Sequence, residues 1–318
     1  MPKRAFLGFS VPVVVGISAI LFFLLIVGFI VGEIGKSIFG EIGLSNWFSV
    51  TRPHPELPAE EVFTMFGFSI TNTIIAAWIT VVVLVRFSFS VTRRMKLVPG
   101  RMQSAFEFLV GWLYDLCRSV AGERNGRRFF PIVATIFLFV SFNAWLGLLP
   151  GFGSITITTD MDPVHLFRPA NTDINMPLAL ALVSFVFVEF FGLRTLGRRY
   201  VVKFVNVGRF LKSIRQIARG KIGAGLNDMF VGVIEIFIGF LELLSEFIRI
   251  ISLTFRLFGN MTAGEILILV TVFLVPWLFV IPFYGLELLI GFIQALIFGG
   301  LTLIFLTLAV TPHEVGEH

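Results

Sequence analysis

The feature that most constrains this chain is a group of ionisable residues inside a long apolar run. The chain has 318 residues, 56% of them hydrophobic, and the run from Leu241 to Glu265 contains Glu242, Glu246, Arg249, Arg256 and Glu265. An ionisable side chain at membrane depth is costly, so a membrane helix that carries one usually uses it. Arg256 is the strongest case, because a guanidinium stays protonated and needs an anion or water facing it. No acidic residue lies within four positions of Arg256, so we expect its counter-charge on another helix or another chain.

The polar residues of this run share one face when it is wound as a helix at about 100° per residue. The members of this polar face are Glu242, Ser245, Arg249, Ser252, Arg256, Asn260 and Ala263. For Ser245 and Ser252 alone, hydrogen bonds to neighbouring helices would be a sufficient explanation. Glu265 points about 180° away from Arg256 and is therefore expected to face a different neighbour.

Composition excludes several classes of protein. The hydrophobic content and the 39 phenylalanines are typical of polytopic membrane proteins. A single cysteine, Cys117, excludes a disulfide framework and a multi-cysteine metal site. His313, Glu314 and His318 have the wrong spacing for a zinc-binding H-E-x-x-H motif, and the sequence offers no nucleophile motif or phosphate loop. We therefore expect no metal, no cofactor and no catalysis by this chain alone.

Apolar runs predict an all-α polytopic membrane protein with about six transmembrane helices in a single membrane domain, residues 1–318. The predicted spans are 11–32, 62–85, 129–149, 174–193, 227–270 and 277–310. The last two are too long to stand upright in a hydrocarbon core of about 30 Å, so we expect a hairpin of steeply tilted helices. No Gly, Pro or Asn between Ile248 and Ser252 offers a turn that would split 227–270 into two spans.

Loop charges predict the topology. Acidic loops follow the first and third spans, whereas basic residues cluster after the second and fourth, so both termini are expected in the cytoplasm. The net charge of +5 therefore reports topology, and we expect no nucleic-acid partner. Residues 101–122 have helical apolar spacing and predict an amphipathic helix on the cytoplasmic membrane surface, with a short soluble hairpin as the alternative.

Three stretches resemble one known family. The run RLFGNM from Arg256 to Met261, followed by Ala263-Gly264-Glu265, resembles the signature of subunit a of F-type ATP synthases, the stator subunit beside the ring of c subunits. Asp173-Ile174-Asn175 resembles the family's entry to a membrane helix, and Glu287 with Ile293-Gln294-Ala295 resembles its final helix. Ile250 and Thr262 depart from the family pattern, where proline and tyrosine are common.

The resemblance implies a proton path. Protons would enter from outside past Glu265 and Glu287, with Asn260 at the inner end, and would protonate a carboxylate of the c-ring. They would leave through an inner half-channel whose candidate residues are Glu242, Ser245, Arg249 and Ser252. Arg256 would attract the ring carboxylate and prevent a proton short-circuit, with Gln294 as its neighbour. A simple interhelical hydrogen bond is the alternative role of Gln294.

The resemblance also implies partners and a location. The expected partners are the c-subunit ring, peripheral-stalk b-type subunits and the lipid bilayer, within a whole F1Fo ATP synthase in a bacterial plasma membrane. A self-contained ion channel or secondary transporter is the alternative function. The insert 198–225 carries eight basic residues and no acid between 198 and 221, and it would either adsorb to anionic lipid or dock a peripheral stalk. Glu189 would either snorkel or lie at a pore edge.

Overall fold

The helices of the chain follow its apolar runs, as the computed structural model shows. The described residues are 4–6, 9–40, 52, 58–65, 67–93, 95–149, 152, 155–158, 163–204, 207–219 and 222–311. The α-helices are α1 Val11–Val31, α2 Glu33–Phe39, α3 Asn72–Thr92, α4 Arg101–Gly147, α5 Asn175–Leu196, α6 Arg198–Phe204, α7 Gly208–Ala218, α8 Ile222–Leu274 and α9 Ile281–Val310. Short 3₁₀ helices cover Ala170–Thr172 and Trp277–Val280. The expectation about His313, Glu314 and His318 lies outside the described residues.

Five helical segments within the described residues are long and apolar enough to cross a membrane. They are α1, α3, α4, α5 and the segment Trp277–Val310, which contains α9. The expected class, a helical multi-pass membrane protein, is thereby confirmed. The span predicted over 227–270 lies within α8, which is not among these five, so the count of six and the tilt stay predictions.

The prediction of a helix over 62–85 is wrong for the described residues before Asn72. Residues Glu61–Met65 and Phe68–Thr71 form the antiparallel strands β3 and β4, and α3 begins only at Asn72. The stretch is rich in β-branched and aromatic residues, which favour strands. Gly67 has φ of 82° at the turn between the strands, a conformation that glycine adopts without strain.

Two further hairpins add short strands to the described part of this helical chain. Strands β1 Arg4–Phe6 and β2 Phe9–Ser10 pair antiparallel, as do β5 Thr156–Thr158 and β6 Pro163–His165. All three are short two-stranded sheets outside the membrane helices, so the architecture remains helical.

A sharp change of direction within α4 separates the two helices that the sequence predicts there. Gly122 has φ of 77° and ψ of 170°, which interrupts the helical backbone between Arg101 and Gly147. This interruption falls at the end of the predicted surface helix 101–122 and precedes the predicted span 129–149. The helical backbone resumes directly after Gly122, so the second helix begins several residues earlier than expected.

The region from 198 to 274 is more helical than the sequence indicates. The described part of the basic insert 198–225 contains the short helices α6 and α7 and the first residues of α8. Helix α8 then runs unbroken from Ile222 to Leu274, which confirms one continuous helix through Ile248–Ser252 and extends it beyond 227–270 at both ends.

The chain divides into two compact units, and the second contains an apolar core. The first unit comprises Met1–Ala77, Asn143–Asp173 and Gly259–Ile293, and the second comprises Trp78–Phe142, Ile174–Phe258 and Gln294–His318. The second unit has an apolar core that includes Phe129, Val133, Val188, Leu303 and Leu306. Because these side chains come from α4, α5 and α9, they join the three helices.

A polar network lies within the first unit. Asn72 donates through Nδ2 to Oε2 of Glu60 at 3.3 Å and to the carbonyl of His165 at 3.1 Å. Thr73 Oγ1 donates to Oδ2 of Asp173 at 2.9 Å. Asn72 and Thr73 are both buried, so these bonds satisfy the amide nitrogen of Asn72 and the hydroxyl of Thr73, which would otherwise be costly to bury.

Candidate functional site

Arg256 lies on the exposed surface of α8 in the second unit. Its Nη2 donates to Oγ of Ser252 at 3.5 Å, a long hydrogen bond from one helical turn earlier. Among the described residues, Arg256 forms no ion pair with an acidic side chain. Its positive charge therefore faces outward from the described part of the chain without an internal counter-charge.

Gln294 lies beside Arg256 through the backbone rather than through the guanidinium. Its Nε2 donates to the carbonyl of Arg256 at 3.3 Å, and its side chain is buried. A carbonyl inside a helix can accept this bond in addition to its hydrogen bond from the helix backbone. The contact joins α8 to α9 at the arginine and leaves the guanidinium itself free to turn outward.

The polar face of α8 is open except at Arg249. Ser245, Ser252 and Asn260 are exposed, and Glu242 is half-buried. Arg249 instead forms an ion pair with the buried Glu246, with 2.5 Å between Nη1 and Oε2. Its guanidinium also lies 3.8 Å from the centroid of the Phe305 ring, a cation–π contact. Sequence reasoning placed Arg249 with the open face and missed this pair, although the i, i+3 spacing of Glu246 and Arg249 could have indicated it.

Glu189 accepts a hydrogen bond within the chain. The sequence predicted only that it would snorkel or lie at a pore edge. Tyr200 of α6 donates through its hydroxyl to Oε1 of Glu189 at 3.0 Å. Burial of the phenol, and next the negative charge of Glu189, raise the pKa of Tyr200. The Tyr200 ring covers Gly192, where an added Cβ would lie 2.5 Å from the ring. Glu189, Tyr200 and Gly192 therefore fix the start of the basic insert against α5.

Glu265 has an internal counter-charge in the first unit. Nη2 of Arg168 lies 3.2 Å from Oε2 of Glu265, and the arginine side chain is only 11% exposed. Nη1 of the same arginine donates to the carbonyl of Pro58 at 3.1 Å. Sequence reasoning missed Arg168, because it is 97 residues from Glu265 and no local pattern connects them.

Glu287 packs directly against Gly264. The Glu287 side chain is 5% exposed, and a Cβ built on Gly264 would lie 2.0 Å from its Oε2. A side chain at position 264 would therefore force this carboxyl group to shift. Oε2 of Glu287 is buried and has no hydrogen-bond partner within the described residues. The sequence included Gly264 in the family signature but gave no reason for it.

The described part of the chain contains no candidate metal site. No group of three or more His, Cys, Asp or Glu side chains there could hold a metal ion.

These features define a class: a multi-pass helical membrane protein that holds charged side chains within its long helices. The model of the ATP synthase A chain family matches residues 74–307, so the chain belongs to that family. It is 33% identical over 243 residues to ATP synthase subunit a of Gloeobacter violaceus, which covers 76% of this chain and 85% of the relative. It is 31% identical over 229 residues to ATP synthase subunit a 3 of Pelobacter propionicus, covering 72% and 83%. ATP synthase subunit a of Desulfosudis oleivorans is 29% identical over 251 residues, or 77% and 92%.

Proposed function

We propose that this chain is the proton-translocating stator subunit of a rotary F-type ATP synthase. Membership of the ATP synthase A chain family supports the proposal. The observation that carries it is Arg256, an exposed permanent cation on α8 with no acidic partner among the described residues. A carboxylate carried past it by another polypeptide would supply the missing charge. The chain would not be catalytic by itself, and ATP would bind elsewhere in the complex.

In this mechanism the ring carboxylate changes between a charged and a neutral form. A proton enters from outside past Glu265, Glu287 and Asn260 and neutralises the carboxylate. The neutral carboxyl can then face lipid, which the charged form cannot do without a large penalty. After nearly a full rotation, the proton leaves through an inner half-channel.

The inner half-channel is formed by the open part of the polar face on α8. Glu242, Ser245 and Ser252 are its candidate residues, with Arg249 held at its edge by Glu246. Arg256 attracts the newly charged ring carboxylate and keeps protons from passing directly between the two half-channels. It acts as a fixed charge because a guanidinium does not release its proton. The hydrogen bond from Gln294 would steady the α8 backbone at this position.

The energetics favour a ring as the partner. A transmembrane potential contributes about 2.3 kcal/mol per elementary charge per 100 mV. Several protons are therefore needed for each ATP, and a ring of identical carboxylates can deliver them one after another. The complete assembly would be an F1Fo ATP synthase with peripheral-stalk b-type subunits in a bacterial plasma membrane. Six spans with a tilted final pair would place both termini in the cytoplasm.

The decisive experiment replaces Arg256 by alanine in the assembled complex. We expect ATP synthesis driven by a proton gradient to fall to background and passive proton leakage to rise, because both the attraction and the barrier are lost. Inverted membrane vesicles with a pH-sensitive dye and an ATP assay measure both quantities. Arg124→Ala, at an exposed arginine, serves as the control and should leave both unchanged.

Two results would overturn the proposal. Unchanged ATP synthesis in Arg256→Ala would remove the assigned role of the arginine. Purification of the active chain without a ring of small carboxylate-bearing subunits would instead favour a self-contained channel or transporter.

A further inference from the structure

Helix α7 presents three separate faces, and one of them is already used. Phe210 and Ile217 pack against glycines of α8: a Cβ on Gly232 would lie 2.8 Å from the Phe210 backbone, and one on Gly225 2.5 Å from Ile217. Because 210 meets 232 and 217 meets 225, α7 runs antiparallel to the first turns of α8. The ion pair of Arg209 with Glu235, 3.0 Å between Nη1 and Oε1, strengthens this contact.

The second face of α7 is apolar and exposed. Leu211 is 57% exposed and Ile214 is 48% exposed, and Val207, just before the helix, is also exposed. At about 100° per residue these side chains lie within roughly 60° of one another, so they form one stripe beside the packed face. The stripe has neighbours of the same kind on α8, where Leu226 and Phe230 are exposed too.

The third face is basic. Lys212, Arg215 and Arg219 are exposed and lie within roughly 60° of one another on the helix surface. Residues 207–219 include no acidic side chain. Arg209 does not belong to this face, since Glu235 already neutralises it. Within the described residues, these three cations form no ion pair.

We propose that α7 is a lipid-binding helix that recognises anionic phospholipid headgroups at the membrane surface. The stripe of Val207, Leu211 and Ile214 enters the acyl boundary, and Lys212, Arg215 and Arg219 bind the phosphate groups beside it. A helix with an apolar stripe next to a basic stripe is suited to lie in the membrane interface. Long basic side chains can extend from that depth to the headgroups.

Charge and composition favour lipid over a protein partner. Polybasic segments beside a membrane helix are attracted to anionic lipid, and each Lys or Arg near the surface adds to the binding. The exposed apolar stripe beside the three cations is typical of helices that lie in a membrane interface. The proposal does not depend on the stator role, because it rests only on α7 and the first turns of α8.

The test titrates the purified full-length chain in detergent with phosphatidylglycerol or with phosphatidylcholine and counts bound lipid by native mass spectrometry. We expect tighter binding of phosphatidylglycerol. The variant K212Q/R215Q/R219Q should lose roughly a hundredfold in affinity for phosphatidylglycerol and keep its affinity for phosphatidylcholine. The charge-conserving variant K212R/R215K/R219K should bind like the parent, which separates loss of charge from misfolding.

A matched control removes the same charge elsewhere. Arg124, Arg127 and Arg128 are exposed, and R124Q/R127Q/R128Q should lose less phosphatidylglycerol affinity than K212Q/R215Q/R219Q, because no exposed apolar stripe of α7 lies beside them. An equal loss in this control, or a parent chain without preference for phosphatidylglycerol, would overturn the proposal. So would a K212Q/R215Q/R219Q variant that binds phosphatidylglycerol normally but loses a protein subunit from the purified complex, because the face would then belong to that subunit.

Depth is measured with an environment-sensitive dye on a cysteine at position 211. The native Cys117 is buried, so Leu211→Cys can be labelled selectively. In vesicles that contain phosphatidylglycerol, brominated acyl chains should quench the dye at position 211 and not at Gln216→Cys. Equal quenching at both positions would contradict the orientation of the stripe.

Discussion

Arg168 in the first unit and Arg256 in the second differ in burial and in ion pairing. Arg168 is nearly covered and has both an acidic partner, Glu265, and the carbonyl of Pro58. Arg256 is exposed, and within the described part of the chain its guanidinium has only the long hydrogen bond to Ser252. A buried charge without a partner is strongly destabilising, so the covered arginine needs its ion pair for folding. The exposed one does not, and its charge stays available to another molecule.

Arg249 belongs with Arg168 in this comparison, although it shares a helix with Arg256. It is 20% exposed and paired with Glu246. Position on the polar face of α8 therefore does not by itself indicate a role in ion movement. The comparison predicts that removing a partner of the paired arginines affects stability, whereas changing Arg256 affects function.

The largest effect on stability is expected from Glu246→Gln. It leaves the Arg249 charge unpaired, and breaking a buried ion pair costs about 3 kcal/mol or more. The free energy of unfolding is measured for the full chain in mixed micelles. The double variant E246L/R249M, which removes both charges, should recover most of the loss. A single variant as stable as the parent would show that the pair contributes nothing to folding.

Arg168→Gln should have a smaller effect, about 2 kcal/mol, which is typical of a lost hydrogen bond to a charged group. Glu265 is partly exposed and can recover some hydration, which limits the loss. The same unfolding assay applies. Arg168→Lys keeps the charge and should retain part of the stability. Equal losses for Arg168→Gln and Arg256→Gln would break the distinction between the two arginines.

Tyr200→Phe should cost about 1 kcal/mol, the value of one hydrogen bond, because the ring still packs on Gly192. It should also change the response to alkali. The raised pKa of Tyr200 means that its contribution is complete below the ordinary tyrosine pKa of about 10 and is lost as the pH rises further. The parent should therefore lose more stability than Tyr200→Phe above about pH 10. If the stability of the parent and of Tyr200→Phe changed in parallel with pH, the phenol of Tyr200 would not be buried as described.

The smallest effect on stability is expected from Arg256→Gln, within about 0.5 kcal/mol, since the side chain is exposed and forms no ion pair with any residue that the structure describes. Proton-coupled ATP synthesis in the same variant should nevertheless fall to background. Stability and activity that decline together would mean that Arg256 supports the fold, which would erase the contrast with Arg168.

Local pattern made part of the molecule predictable. The polar face of α8 and its unbroken course follow from helical periodicity and from the absence of a helix breaker near Ile248–Ser252. The break at Gly122 lies where the two predicted helices meet. The strands Glu61–Met65 and Phe68–Thr71 were missed. Periodicity alone does not distinguish a short apolar strand from the start of an apolar helix, so the strands and the helix after them were predicted as one span.

By itself, the sequence determined the membrane class, the continuity of α8 and the presence of a cation at Arg256 without a nearby acid. These properties depend on residues within a few turns of each other. Only the tertiary structure decided that Arg168 neutralises Glu265, that Gly264 makes room for Glu287, and that Gln294 bonds to the backbone of Arg256. Each of these contacts joins segments more than twenty residues apart, and whether a charge is paired or a glycine is crowded depends on how distant segments pack.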